Sequence, residues 1–204
     1  MTVTRRSEWP ERPPPRDRGG PSTSRADEGP PRTPRDPVER ARAISLRLLT
    51  GTPRTRRQLA DALRERDIPD EAIDTVLDRF EEVGLIDDAA FAAAWVESRH
   101  HGRGLAGRSL ARELRTKGVA APVIDEAVAR LDPEREEETA RALVERRLRA
   151  TRGVEPVKRL RRLVGVLARK GYAEELAVRV VREALAAEAA EAPGTTDERW
   201  RDGF

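Results

Sequence analysis

Two adjacent histidines, a large stock of carboxylates and several runs of arginine are the residues of this 204-residue chain whose types could do chemistry. His100 and His101 are its only histidines, and neighbours on a helix point about 100° apart. They cannot share a metal without ligands from elsewhere, and no H-E-x-x-H spacing exists. An exposed helix end is the expected setting for both. The carboxylates gather where helix first turns and solvent-facing surfaces are expected, so capping and solubility account for them. Gly102, Gly104 and Gly107 follow no strand signal and read as a turn between helices, not as a phosphate cradle. No catalytic residue, no cofactor and no metal are expected, and the chain does not read as an enzyme.

The basic residues say more. Arg108, Arg112 and Arg115 fall at helical spacing beside Leu110 and Leu114, so one helix buries an apolar face and presents arginines on the other. Arg159, Arg162 and Arg169 stand likewise beside Leu160, Leu163 and Leu167. Although the formal net charge is only +3, its distribution is uneven. Nine acids face one base between Asp67 and Asp88, six bases face one acid between Arg99 and Lys117, and eleven bases face two acids between Arg141 and Lys170. Such segregation suits a surface that attracts a polyanion or an acidic protein groove. Solvated helix faces are the alternative, and charge alone does not decide between them.

The elements that hold these residues follow from composition and period. Aromatics are 3% of the chain and charged residues 38%, so a core must come from Leu, Val, Ile and Ala. That favours helices packed on helices. Cysteine is absent, which excludes disulfides and thiolate metal sites. No apolar run approaches the roughly 20 residues of a membrane span, and the first residues lack the apolar stretch of a secretory signal. A soluble, cytoplasmic protein is expected.

The chain repeats itself. Leu59, Leu63, Ile68, Ile73 and Leu77 return 51 residues later as Leu110, Leu114, Val119, Ile124 and Val128. A third copy lies 53 further on, at Leu163, Leu167, Tyr172 and Val181, and Lys117-Gly118 returns as Lys170-Gly171. Stacked supersecondary units produce this register. Asp36, Asp87 and Asp132 are expected to cap the first helix of each unit, with Pro37 and Pro133 at the first helical position. Thr55 and Gln58 form a T-x-x-Q capping box for the next helix. A third helix follows Pro69 and ends near Gly84. Its counterpart starts at Pro122. Trp95, on one face with Phe91, reads as core. In the third unit eight extra residues are expected to lengthen the helix that starts at Pro133.

The fold class expected is therefore all-α, three tandem three-helix repeats in an elongated array. The expected division is a disordered Pro- and Arg-rich arm over 1–36, repeats over 37–86, 87–131 and 132–190, and a tail over 191–204 in which Trp200 and Phe204 could dock. No dimerisation segment is visible, so a monomer is expected.

From Asp87 to Val119 the run D-D-A-A-F-A-A-A-W-V-E-S-R, followed by R-G-L-A-G-R-S-L-A-R-E-L-R-T-K-G-V, resembles the core signature of RecX regulatory proteins. The matching residues are Asp88, Phe91, Ala92, Trp95, Arg99, Gly104, Leu110, Glu113, Leu114, Lys117, Gly118 and Val119. The preceding R-F-E-E-V-G-L-I-D-D is similar too, and the likeness spans about residues 37–187. It implies a protein of recombinational DNA repair and the SOS response that lies in the groove of the RecA–DNA filament. It also implies suppression of ATPase, strand-exchange and coprotease activities without catalysis of its own. Filament or DNA contacts are expected first at Arg99, Arg103, Arg108, Arg112, Arg115 and Lys117, then at Arg159, Arg161, Arg162 and Lys170. Weak, sequence-independent affinity for single- or double-stranded DNA is expected from the charge. A non-sequence-specific DNA-binding helical module is the competing reading, with a plain helical scaffold behind it.

Overall fold

A computed structural model describes residues 36–191, so the expected N-terminal arm and the tail with Trp200 and Phe204 lie outside the described residues. Among those described there are nine α-helices and no strand. They are α1 (Pro37–Gly51), α2 (Arg56–Arg64), α3 (Asp70–Glu82), α4 (Asp88–Arg103), α5 (Gly107–Thr116), α6 (Ala121–Ala129), α7 (Pro133–Leu148), α8 (Pro156–Arg169) and α9 (Glu174–Glu191). They form three tandem three-helix repeats.

Local chemistry starts the helices where it should. Asp36, Asp87 and Asp132 accept the backbone N–H groups of Val38, Ala90 and Glu134 at 3.0, 2.8 and 2.9 Å, each satisfying a donor the helix itself cannot. At α2 the Thr55 hydroxyl accepts from the Gln58 N–H, and the Gln58 side chain accepts from the Thr55 N–H, both at 3.2 Å.

Each repeat has its own core. The first gathers Leu59, Leu63, Ile73, Leu77 and Phe80; the second Ala92, Val96, Leu110, Leu114 and Ile124; the third Ala140, Val144, Leu163, Leu167, Tyr172 and Val181. Extensive helix-on-helix packing stays within a repeat. What passes between repeats is a small set of specific contacts at turns and helix ends.

Those contacts obey one rule, used twice. The first residue of the second helix sends its free N–H to an acid in the first turns of the next repeat: Arg56 to Asp88 at 2.9 Å, Gly107 to Glu136 at 3.1 Å. The residue before it bonds to the carbonyl of the Lys-Gly turn of that next repeat. Thr55 donates its hydroxyl to the Lys117 carbonyl at 2.7 Å, and Ala106 its N–H to the Lys170 carbonyl at 2.9 Å. Burial raises the carboxyl pKa of Asp88 above the usual range, against the opposing hydrogen bond from Arg56. The turns come so close that a side chain has no room. A Cβ on Gly118 (φ +80°) would sit 2.4 Å from the Arg57 stem, and one on Gly171 (φ +92°) 2.5 Å from the Ser109 backbone nitrogen. The same register position in the first described repeat is Asp67 at φ 56°.

The second junction holds more. Tyr172 donates its hydroxyl to the Gly104 carbonyl at 3.2 Å, and Lys170 donates its ammonium to the Arg103 carbonyl. His100 bridges α4 to α7, with Nδ1 2.9 Å from the Leu105 carbonyl and Nε2 3.1 Å from the Thr139 hydroxyl. The Leu105 carbonyl has no proton to give, so Nδ1 is the donor there. His100 is therefore a buried tether, unlike the exposed helix end the sequence suggested; His101 is exposed as expected.

The eight extra residues of the third repeat also fall elsewhere than expected. Trp95 and Ala140 each stand eight residues before the end of their helix, so α7 is no longer than α4. The linker instead grows from three residues to seven, and α8 starts seven residues before Leu163 where α5 starts three before Leu110. Thr151 turns the chain by donating its hydroxyl to the Leu148 carbonyl at 2.9 Å within a short 3-10 turn, Arg149–Thr151.

Candidate functional site

The ten basic residues singled out by the sequence divide into two groups. On α5, Ser109, Leu110 and Leu114 are buried, while Arg108, Arg112 and Arg115 lie on the exposed side at i, i+4 and i+7. Ion pairing on this helix is confined to Glu113. On α8, Arg161 and Arg162 are exposed, and the ion pair belongs to Arg159. Five guanidinium groups on the second helices of two successive repeats are thus left to solvent. The first repeat differs: Arg57 stands 3.7 Å from Asp61, and Arg64 bonds to Asp70 at 2.9 Å.

The other five are engaged inside the molecule. Arg159 bonds to the Thr151 hydroxyl at 3.0 Å, the Leu148 carbonyl at 3.1 Å and the Glu188 carboxylate. It closes the enlarged α7–α8 linker onto α9, and its side chain is largely buried. Arg152 and Arg159 together hold the Glu188 carboxyl below its usual range. Lys170 has one of its N–H groups on the Arg103 carbonyl, as described above.

Arg99 and Lys117 flank Trp95, and Arg103 joins the cluster through Glu113. The Trp95 indole N–H donates to Glu113 Oε2 at 2.9 Å. The Arg99 guanidinium lies 4.2 Å and the Lys117 ammonium 3.9 Å from the ring centroid, distances at which the ring quadrupole attracts a cation. Phe91 stacks on the same indole at 5.8 Å. Glu113 also meets Arg99 at 3.5 Å and Arg103 at 3.4 Å. Trp95 is therefore half-buried: it packs with Phe91 against the second core, as their spacing suggested, and its ring also carries the Arg99 and Lys117 cations. The clue in the sequence was Glu113, the single acid among six bases, which becomes the hub of the cluster.

Two functional candidates were missed altogether. Arg135 and Arg146 are exposed on α7, eleven residues apart and so on nearly the same face. With Arg103, Lys170 and His101 they line a cleft of about 600 Å³ at the second junction. Only the docking of α7 beside α4 brings them together. Among the described residues no cluster of three or more His, Asp or Glu is placed to hold a metal ion, and no helix is long and apolar enough to cross a membrane.

Comparison with known proteins gives concordant matches. Residues 41–80, 87–128 and 134–181 match the family models described as the first, second and third three-helix domains of RecX. The chain is 70% identical over 182 residues to Regulatory protein RecX of Streptomyces lividans, covering 89% of this chain and 96% of that one. It is 69% identical, with the same coverage, to Regulatory protein RecX of Streptomyces coelicolor. Its fold is similar to the crystal structure of RecX from Lactobacillus salivarius, with a TM-score of 0.70 at 19% identity, covering 72% of this chain and 96% of that one.

Proposed function

This chain belongs to the RecX family of regulatory proteins, and from that premise we propose that it is a non-enzymatic, negative regulator of the RecA recombinase filament. In this reading it acts in the cytoplasm as a monomer, binds the RecA–DNA filament and restrains ATP hydrolysis, strand exchange and coprotease activity. The observation that supports it is the set of exposed arginines on α5 and α8, Arg108, Arg112, Arg115, Arg161 and Arg162, whose charge no carboxylate on their own helices answers. Repeats joined through a few turn contacts can present such helices successively along a repeating partner. Arg99, Arg103, Lys117, Arg159 and Lys170 then hold the presenting surfaces in place.

The test is single-strand-DNA-dependent ATP hydrolysis by the cognate RecA with sub-stoichiometric amounts of this protein. Suppression well below one-to-one is expected, and Arg108→Glu/Arg112→Glu/Arg115→Glu should weaken it roughly 10-fold or more while leaving the helical CD signal intact. Full inhibition by the folded triple variant overturns the assignment of α5. A wild-type protein that binds duplex DNA but leaves RecA unaffected would favour the second reading, a non-sequence-specific DNA-binding module, which the same unpaired arginines also support.

A further inference from the structure

The first and second repeats furnish the same corner differently. In the second, Trp95 stands eight residues after the capping Asp87; the Lys117 ammonium lies over its indole, and its N–H goes to Glu113. In the first, the residue eight after Asp36 is Ile44. Lys117 has its counterpart in Arg66 and Glu113 in Ala62, at the same displacement of 51 residues. The cation is kept, while the ring and its acid are gone. Space opens where they would be. A groove of about 620 Å³ is lined by Ile44, Arg47, Leu48, Arg54 and Arg66. A second, of about 510 Å³, joins Ile44 to Arg40, the counterpart of Phe91.

The charge in this corner is unanswered as well. Ion pairs of the first repeat go to Arg42, Arg56, Arg57, Arg64 and Arg79, and among the described residues none reaches Arg47, Arg54 or Arg66. Arg54 is half-buried, and its Nε is enclosed with no acceptor. A buried guanidinium N–H without a partner carries a desolvation cost that an incoming oxygen would offset.

We infer that this groove takes an aromatic side chain accompanied by a carboxylate, presented by an extended segment of a partner protein. The ring lies on Ile44 and Leu48 beneath Arg66, as Trp95 lies beneath Lys117. The carboxylate takes the role of Glu113 and meets Arg54 and Arg47. Arginine suits both tasks, since its planar group stacks on a ring and binds a carboxylate through parallel N–H donors. The groove belongs to the first repeat and includes none of the α5 and α8 arginines, so the inference does not depend on the filament reading.

The chain has five isoleucines, and Ile68, Ile73, Ile86 and Ile124 are buried, which makes the Ile44 methyl group the reporter. The full chain, carbon-13-labelled at the isoleucine δ1 methyl groups, is titrated with the blocked pentapeptide Gly-Glu-Trp-Asp-Gly. The ring current of the bound indole should move the Ile44 resonance farther than the other four, with half-saturation at or below about 1 mM. Arg54→Gln/Arg66→Gln should weaken binding roughly 10-fold with an unchanged CD spectrum. Ile44→Trp fills the seat from within, as the second repeat does. A peptide carrying 5-fluorotryptophan should therefore keep its sharp free fluorine line with this variant and broaden with wild type. An Ile44 methyl that does not move, or a double variant within twofold of wild type, overturns the site. Equal movement with oligothymidylate reassigns the groove to a nucleic-acid strand, and N-acetyltryptophan binding as tightly as the peptide reassigns it to a free aromatic acid; either overturns the inference. Stronger peptide binding by Trp200→Ala names the chain's own C-terminal segment as the occupant and removes the external partner.

Discussion

Gly171→Ala is the substitution for which the junction makes the most demanding prediction. The backbone there lies at φ +92°, a region in which an L side chain costs about 1–2 kcal/mol. The added Cβ would also fall 2.5 Å from the Ser109 nitrogen and 2.8 Å from Ser109 Cβ. These atoms belong to the start of a helix and cannot rotate away. Relief requires the two repeats to part by about 0.5–1 Å in a close-packed contact. That movement stretches the 2.9 Å bond from Ala106 to the Lys170 carbonyl beyond useful length, a loss of about 1 kcal/mol. The expected total is about 3 kcal/mol. Gly118→Ala should cost a similar amount, because its Cβ would fall 2.5 Å from Arg57 Cβ, an atom fixed to the α2 backbone that no rotamer change can move. Asp67→Gly, at the same register with nothing docked on it, should be neutral or stabilise by up to about 1 kcal/mol. Urea unfolding followed by CD measures all three. If Gly171→Ala costs less than about 1 kcal/mol, the backbone-to-backbone approach of repeats two and three is wrong.

Two further outcomes follow from the ion pairs. Arg159→Ala should lower the melting temperature by roughly 3–6 °C, because it removes one hydrogen bond each to Thr151, Leu148 and Glu188, whereas Arg161→Ala and Arg162→Ala should leave it unchanged; thermal CD of the three variants distinguishes the structural arginine from the presented ones. Stability should also fall in acid. Arg179, then Arg141, hold Glu137 below its usual range, and Arg152 and Arg159 hold Glu188 there. Each contribution is complete above the unfolded carboxyl value and disappears as pH falls through the lower, folded value. Asp88, whose folded value is raised, has the opposite sign and is stabilised by protonation. Melting curves below about pH 4.5 should therefore decline less steeply for Glu137→Gln/Glu188→Gln than for wild type, and an unchanged slope would remove these carboxylates from the account.

The helices, their caps and the repeat were legible because they rest on local chemistry. An aspartate ahead of a helix needs only its own next few residues, and Leu59, Leu110 and Leu163 need only their period. What stayed hidden depends on residues far away in sequence. The spacing of Phe91 and Trp95 marks an inner face, but the indole N–H finds Glu113 eighteen residues on, and Lys117 closes over the ring from beyond the end of α5. His100 is buried by Thr139, thirty-nine residues distant. Arg159 and Arg162 look alike in the sequence, and only Glu188 on α9 separates them. Charge segregation located the basic regions correctly, yet which cations are spoken for is a tertiary property. Arg135 was overlooked because it sits among glutamates in the acidic first turns of α7, and Arg146 because its place in the last turn already suits the helix dipole.

The junction rule also bears on how many repeats can be strung together. A unit added before the first would have to close on Asp67, where the two working junctions have glycine because a Cβ would collide. A unit added after the third would have to place its acid on the first N–H of α8, but that residue is Pro156, which has none to offer. The next two N–H groups, of Val157 and Lys158, are already taken by Glu155 at 2.9 and 3.0 Å. The arrangement resembles a three-link chain with a stop filed into each end link. Among the described residues, neither end repeat offers the junction geometry through which a further unit could extend the array.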